Sequence, residues 1–185
     1  MSVATVQPFY GILALAAIGA IAVVVLLHLA GLVSERARDA RDAIARTVEP
    51  NALGLAWAVA FLATAGSLYF SEVAGFEPCL LCWYQRIAMY PLAVILAVGA
   101  VRRDRGVAVY AGVLAAVGAV ISAYHVALEW FPVLDSGACD AAAPCTLIWF
   151  RVFGFISLPT LALIAFGLIL TILALHPSKT ERRPA

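Results

Sequence analysis

Five long apolar stretches leave this chain few folds to choose from. Segments 9–33, 52–71, 106–128 and 152–175 contain no Asp, Glu, Lys or Arg, and segment 78–101 contains only Arg86. Each is about 20 residues or more, enough to cross a ~30 Å hydrocarbon core as a helix. Lipid offers backbone N–H and C=O groups no partners, so such stretches satisfy them internally as helices. The chain is 64% hydrophobic and 12% charged, whereas soluble domains are nearer half apolar and about a quarter charged. The reading is an all-α membrane protein with five transmembrane helices and no independent soluble domain. Segment 9–33 lacks a basic flank and is too long for a signal-peptide core, so it is read as an uncleaved helix.

The net charge of +1 conceals an asymmetry. Loop 34–50 holds Arg36, Arg38, Arg41 and Arg46, loop 102–106 holds Arg102, Arg103 and Arg105, and the tail holds Lys179, Arg182 and Arg183. The alternate segments 1–8, 72–78 and 129–151 contain only Arg151. Basic residues mark the cytoplasmic side of short loops. The amino terminus is therefore expected outside and the carboxyl terminus inside. Tyr69, Trp83, Tyr84, Tyr124, Trp130 and Trp149 gather toward the outer interface, where amphipathic rings settle. Segment 34–50 reads as a polar helical extension or linker. Residues 102–106 read as a tight turn in which Gly106 allows a positive φ. Residues 147–153 are too apolar for a free loop and are expected along the headgroup layer.

All four cysteines fall on the expected outer face. Cys79 and Cys82 form a Cys-Leu-Leu-Cys motif at the mouth of the third span, and Cys139 and Cys145 lie in the following outer loop. A helix start presents unpaired N–H groups and a positive dipole end. Arg86, four residues after Cys82, shares its helical face. Both effects favour thiolate, the reactive form of cysteine. An arginine at that depth costs about 2–3 kcal/mol if it does not reach water, so Arg86 is either a snorkelling side chain or a stabiliser of negative charge. The Asp-Ala-Ala-Ala-Pro spacer between Cys139 and Cys145 suits a flexible disulfide or a static staple.

Two dithiol pairs on one face can exchange electrons by thiolate attack on sulfur. A four-cysteine metal site is the chemical rival. Trp83 follows Cys82, so the haem-attachment motif CxxCH is absent. No flavin or nicotinamide fingerprint occurs. A lipid-soluble quinone is then the simplest two-electron acceptor, in a pocket beside Cys82 with Arg86 and His125 near its oxygens.

At these residues the chain resembles the bacterial disulfide bond formation protein B (DsbB) family, in particular its short-loop BdbC-type members. The matching pieces, in the family's order, are Cys79-Leu80-Leu81-Cys82-Trp83-Tyr84-Gln85-Arg86, then Ala123-Tyr124-His125-Val126-Ala127-Leu128-Glu129, then Cys139 with Pro144-Cys145-Thr146, then Phe153-Gly154-Phe155-Ile156-Ser157-Leu158-Pro159. The resemblance implies a four-helix bundle over 51–176. An extra amino-terminal helix (about 9–33) and a charged cytoplasmic linker, within 1–50, precede it, and a cytoplasmic tail, 177–185, follows. It implies a protein of the bacterial inner membrane that reoxidises a thioredoxin-like, DsbA-type dithiol oxidase and passes electrons to ubiquinone or menaquinone. By position, Cys139 would receive the partner's mixed disulfide and Cys145 would be its mate. Cys79 would take electrons from the loop pair, and Cys82 would make the thiolate contact with quinone. Arg86 and His125 would be quinone-side residues. Two rival readings stay open here: a vitamin K epoxide reductase-like quinone reductase, in whose family the loop cysteines precede the CxxC, and a membrane scaffold with structural disulfides or a four-cysteine metal site.

Overall fold

Small residues at helical spacing decide how these spans pack. The computed structural model describes residues 3–135, 137, 139 and 143–175. The described helices are α1 (Val3–Ala30), α2 (Glu35–Val48), α3 (Ala52–Leu68), α4 (Leu80–Arg102), α5 (Val107–Trp130) and α6 (Leu158–Ala174). Stretches Val3–Ala30, Glu35–Val73, Leu80–Arg102 and Val107–Trp130 are long and apolar enough to cross a membrane, and Leu158–Ala174 is a shorter apolar helix. The protein is an all-α, multi-pass membrane protein. Helices α3 to α6 form the bundle, and α1 packs outside it against α6.

Between helices in lipid there is little hydrophobic drive, so close van der Waals packing of small residues carries association. Ala52, Ala56 and Ala60 recur every four residues on α3 and are buried against Ala88, Leu92 and Leu96 of α4. On α5, Ala111, Ala115, Gly118 and Ser122 make a similar stripe. A Cβ on Gly118 would overlap the ring of Phe166, itself fully buried on α6. Gly118→Ala is therefore expected to lose about 1–3 kcal/mol by overpacking. Gly112→Ala, where nothing lies within 4 Å, should be neutral or slightly stabilising. Thermal unfolding of both variants in detergent checks the contrast.

The charged segment 34–50 is mostly helical. α2 buries none of its residues and lies at the end of the bundle that carries the α4–α5 turn, where Arg105 pairs with Glu49 at 3.3 Å. Arg38 donates through Nε to the carbonyl of Gly31, just past the end of α1, a basic side chain satisfying a free carbonyl at a helix carboxyl terminus. In the α4–α5 turn the left-handed residue is Arg103 (φ 53°), not Gly106 (φ −64°). Its N–H is held by the carbonyls of Ala100 and Gly99, while Asp104 accepts from the N–H of Gly106 at 2.9 Å. Helix α4 continues through Pro91.

Two sequence boundaries shift. The last apolar run, 152–175, is helical only from Leu158. Residues 152–156 instead close a turn, with Val152 N–H on Ile156 O at 2.9 Å and Ile156 N–H on Val152 O at 3.0 Å. Gly154 (φ 81°) permits that reversal, and Pro159 falls in the first helical turn, where its missing N–H costs nothing. Glu129, read as the start of the outer loop, belongs to the last turn of α5 and is buried. The apolar segment after Cys145 packs partly on the protein: Trp149 stacks on Phe76 with centroids 4.7 Å apart, and Phe150 meets Phe70 at 5.2 Å. The tail 177–185 and most of the Asp-Ala-Ala-Ala stretch lie outside the described residues.

Candidate active site

Cys79 is the N-cap of α4, in extended conformation, and its sulfur accepts the backbone N–H of Cys82 at 3.4 Å. The two sulfurs of the motif are 3.1 Å apart and unbonded. Cys139 and Cys145 are joined in a disulfide. One apolar cluster gathers Cys79, Leu81, Leu128 and Cys145, with Cys82 and Cys139 packed against it. Residues far apart in sequence thus converge at one end of the bundle.

His125, from α5, ties the pairs together. Its Nε2 lies 3.7 Å from the Cys79 sulfur and 3.0 Å from the carbonyl oxygen of Cys145, and Gln85 holds Nδ1 at 3.3 Å. Cys79, Cys82 and His125 also place three metal-capable donor atoms within 4.8 Å of one another. The Cys79 thiol titrates well below the ordinary range. The hydrogen bond from the Cys82 thiol is the largest cause, and the His125 contact and the Cys82 N–H add to it against the opposing effect of burial. A depressed thiol pKa means the anion persists as pH falls. The ultraviolet thiolate absorbance of the reduced protein is expected to survive at about pH 6, two units or more below the usual thiol pKa of about 8.5. In His125→Ala that absorbance should be lost at a higher pH than in the parent protein.

Arg86 points elsewhere. Its Nε donates to Ser67 Oγ at 3.1 Å and its Nη2 to the Ser67 carbonyl at 3.2 Å, while Tyr90 donates to the same Oγ at 3.2 Å. The guanidinium also lies 5.2 Å from the Trp83 ring centroid. Ser67 sits at the end of α3, just before a wide π turn over Tyr69–Val73, a helix irregularity common at functional sites. Arg86, Ser67, Tyr90, Gln85 and Cys82 line a cavity of about 250 Å³ whose remaining walls are mostly apolar. A smaller cavity of about 100 Å³ lies beside it, lined by Cys79, His125 and Glu129. Cys82, Glu77 and Trp149 border both. The structure therefore brings Cys82 and Arg86 to one cavity and sets His125 on the other side of the cysteine pair, against Cys79.

The profile of the family described as "Disulfide bond formation protein DsbB" matches residues 49–176, well over half of the chain. The chain belongs to the DsbB family. Among curated DsbB-family relatives, a probable disulfide formation protein C 1 of Bacillus cereus is 47% identical over 116 residues, 62% of this chain and 84% of the relative. A probable disulfide formation protein of Oceanobacillus iheyensis is 42% identical over 137 residues, 73% and 94% of the two chains. Disulfide bond formation protein C of Bacillus subtilis is 45% identical over 120 residues, 64% and 87%. No solved structure matches. Membership of the DsbB family makes this chain a membrane disulfide oxidoreductase, and in the structure one disulfide and one close dithiol share a buried cluster.

Tyr90 and Ser67 were not singled out from sequence, and Glu129 figured only as the end of the matched 123–129 stretch. Tyr90 follows Arg86 by four residues and Glu129 follows His125 by four, so helical periodicity alone marks both. Glu129 accepts a hydrogen bond from Ser157 Oγ at 2.5 Å, and Arg151 donates to the Glu129 carbonyl at 3.3 Å. Ser67 carried no sequence signal, because its role depends on the α3–α4 contact.

Proposed function

We propose that this protein takes two electrons from a thioredoxin-like, DsbA-type dithiol on the outer face of a bacterial inner membrane and delivers them to ubiquinone or menaquinone. The observation that carries the reading is the position of Cys82, on the shared wall between the cysteine cluster and the Arg86 cavity. The arginine excess at the opposite end of the bundle supports an extracytoplasmic placement of the cysteines. Residues 51–176 form the redox bundle, 1–50 add a helix and a cytoplasmic linker, and 177–185 are a cytoplasmic tail.

The partner's thiolate attacks Cys139, the less buried loop sulfur, and Cys145 leaves. The partner's second thiol resolves that bond, releasing the partner disulfide and a loop dithiol. Cys145 then attacks Cys79 of an oxidised Cys79–Cys82 pair; Cys82 leaves, and Cys139 resolves the bond to restore the loop disulfide. The described state, with the loop pair bonded and Cys79 and Cys82 free, is the one in which the membrane pair holds both electrons. His125 and the Cys82 N–H hold charge on Cys79. The cavity chemistry fits a quinone: a cationic guanidinium and a hydroxyl cluster beside mostly apolar walls, with Glu77 on the border shared with the smaller cavity. Bound there, a quinone supplies acceptance of two electrons and two protons. The net reaction converts partner dithiol and quinone into partner disulfide and quinol.

The test uses purified protein in lipid nanodiscs with quinone and a reduced thioredoxin-like dithiol protein. One quinol per partner disulfide is expected. Partner oxidation at an equal rate without quinone would remove the quinone half of the proposal.

A further inference from the structure

Helix α1 precedes the segment that matches the family, 49–176, yet it contributes directly to the larger cavity. Tyr10, Leu13, Ala14 and Ala17 line it together with residues of α3, α4 and α6. The fit of α1 is built into the bundle. Tyr10 donates to the Leu62 carbonyl of α3 at 3.1 Å. A Cβ on Gly66 would lie 2.6 Å from the Tyr10 ring, so α3 carries a glycine where that ring sits. A Cβ on Gly11 would lie 2.8 Å from the Val152 side chain, which locks α1 against the turn before α6. Val6 and Ala14 are buried, while Ile12 on the opposite face is 61% exposed.

The cavity is long as well as amphipathic. Its α6 lining runs from Leu158 to Leu168, about 15 Å at the helical rise, and its α1 lining from Tyr10 to Ala17, about 10 Å. The polar groups (Ser67, Ser71, Glu77, Gln85, Arg86 and Tyr90) come from α3, α4 and the segment between them, whereas the α1 contribution below Tyr10 is entirely apolar. A prenylated quinone has the same division, a polar ring and a long hydrocarbon tail.

We propose that α1 is a wall of the quinone cavity. Tyr10 borders the ring end, and Leu13, Ala14 and Ala17 hold the near part of the polyisoprenoid tail. Without this helix the cavity would open to lipid between α3 and α6. The inference rests on the quinone reading above but is separable from it by experiment.

The direct test is photolabelling of the full-length protein in nanodiscs. A prenylquinone carrying a diazirine on its first isoprene units is irradiated, and the labelled peptides are mapped. Label on peptides spanning 10–17 as well as on α4 is expected. Label on α4 or α6 with none on α1 overturns the role of α1 and leaves the quinone reading standing. Label nowhere in the bundle, with no quinol formed, overturns both. Kinetics supply the second readout. Ala17→Leu fills part of the tail wall, and the overpacking should raise KM for a long-tailed quinone roughly tenfold. It should leave kcat, the KM for a tailless quinone and thiol exchange with the partner unchanged. Ile12→Leu, on the lipid-facing side, should change none of these. Equal KM values for long-tailed and tailless quinones in Ala17→Leu and the parent protein would refute the assignment.

Discussion

Cys82→Ser is expected to lower partner-driven quinone reduction roughly a thousandfold, about 4 kcal/mol of lost transition-state stabilisation. Cys82 is the sulfur that borders both cavities, so in the proposed relay electrons reaching Cys79 would have no bonded route onward without it. The variant should also leave a chemical trace. With Cys82 gone, Cys79 is a lone thiolate packed in the same cluster as Cys145. Attack on Cys145 releases Cys139 and forms a Cys79–Cys145 bond, which nothing inside the membrane pair can then resolve. Peptide mapping without reductant should recover that cross-link in Cys82→Ser and not in the parent protein. Turnover close to parental in Cys82→Ser would refute the relay.

Replacing Arg86 with methionine is expected to raise the KM for quinone between about tenfold and a hundredfold, the worth of a charge-assisted hydrogen bond of about 1.5–3 kcal/mol. Methionine keeps an unbranched stem and removes the guanidinium. The same change also breaks the link from α4 to Ser67, so thermal stability must be measured beside the kinetics. A binding role predicts that KM rises while exchange between the partner and the loop disulfide is unaffected. A purely structural role predicts that both activities fall with stability. Arg86→Lys should recover only part of the affinity, since an ammonium restores charge without the planar fork that grips two oxygens of Ser67.

Much of this architecture was legible in the residues because membrane helices obey few rules. Long uncharged runs marked the spans, and the arginine distribution put loops 34–50 and 102–106 at one end, where the Arg105–Glu49 pair now joins them. The Cys-Leu-Leu-Cys spacing located the helix mouth to within one residue of its N-cap. What escaped were features set by contact between elements. Arg103, not a glycine, takes the left-handed position, because the carbonyls of Gly99 and Ala100 hold its N–H. The last span begins six residues later than its hydropathy suggests, because Gly154 and Pro159 favour a turn there over an earlier helix start. His125 faces Cys79 and not the larger cavity, a choice made by Gln85 from the neighbouring helix. The contribution of α1 to the cavity was likewise invisible, since hydropathy registers a span but not what it packs on.

The loop disulfide presents its two sulfurs unequally: Cys145 has no solvent-accessible surface, while Cys139 is only partly covered. An incoming thiol therefore meets a bond with one approachable end, and the leaving sulfur is always the one already facing the membrane couple. In the relay proposed above, this burial makes Cys139 the point of entry and reserves Cys145 for the membrane pair.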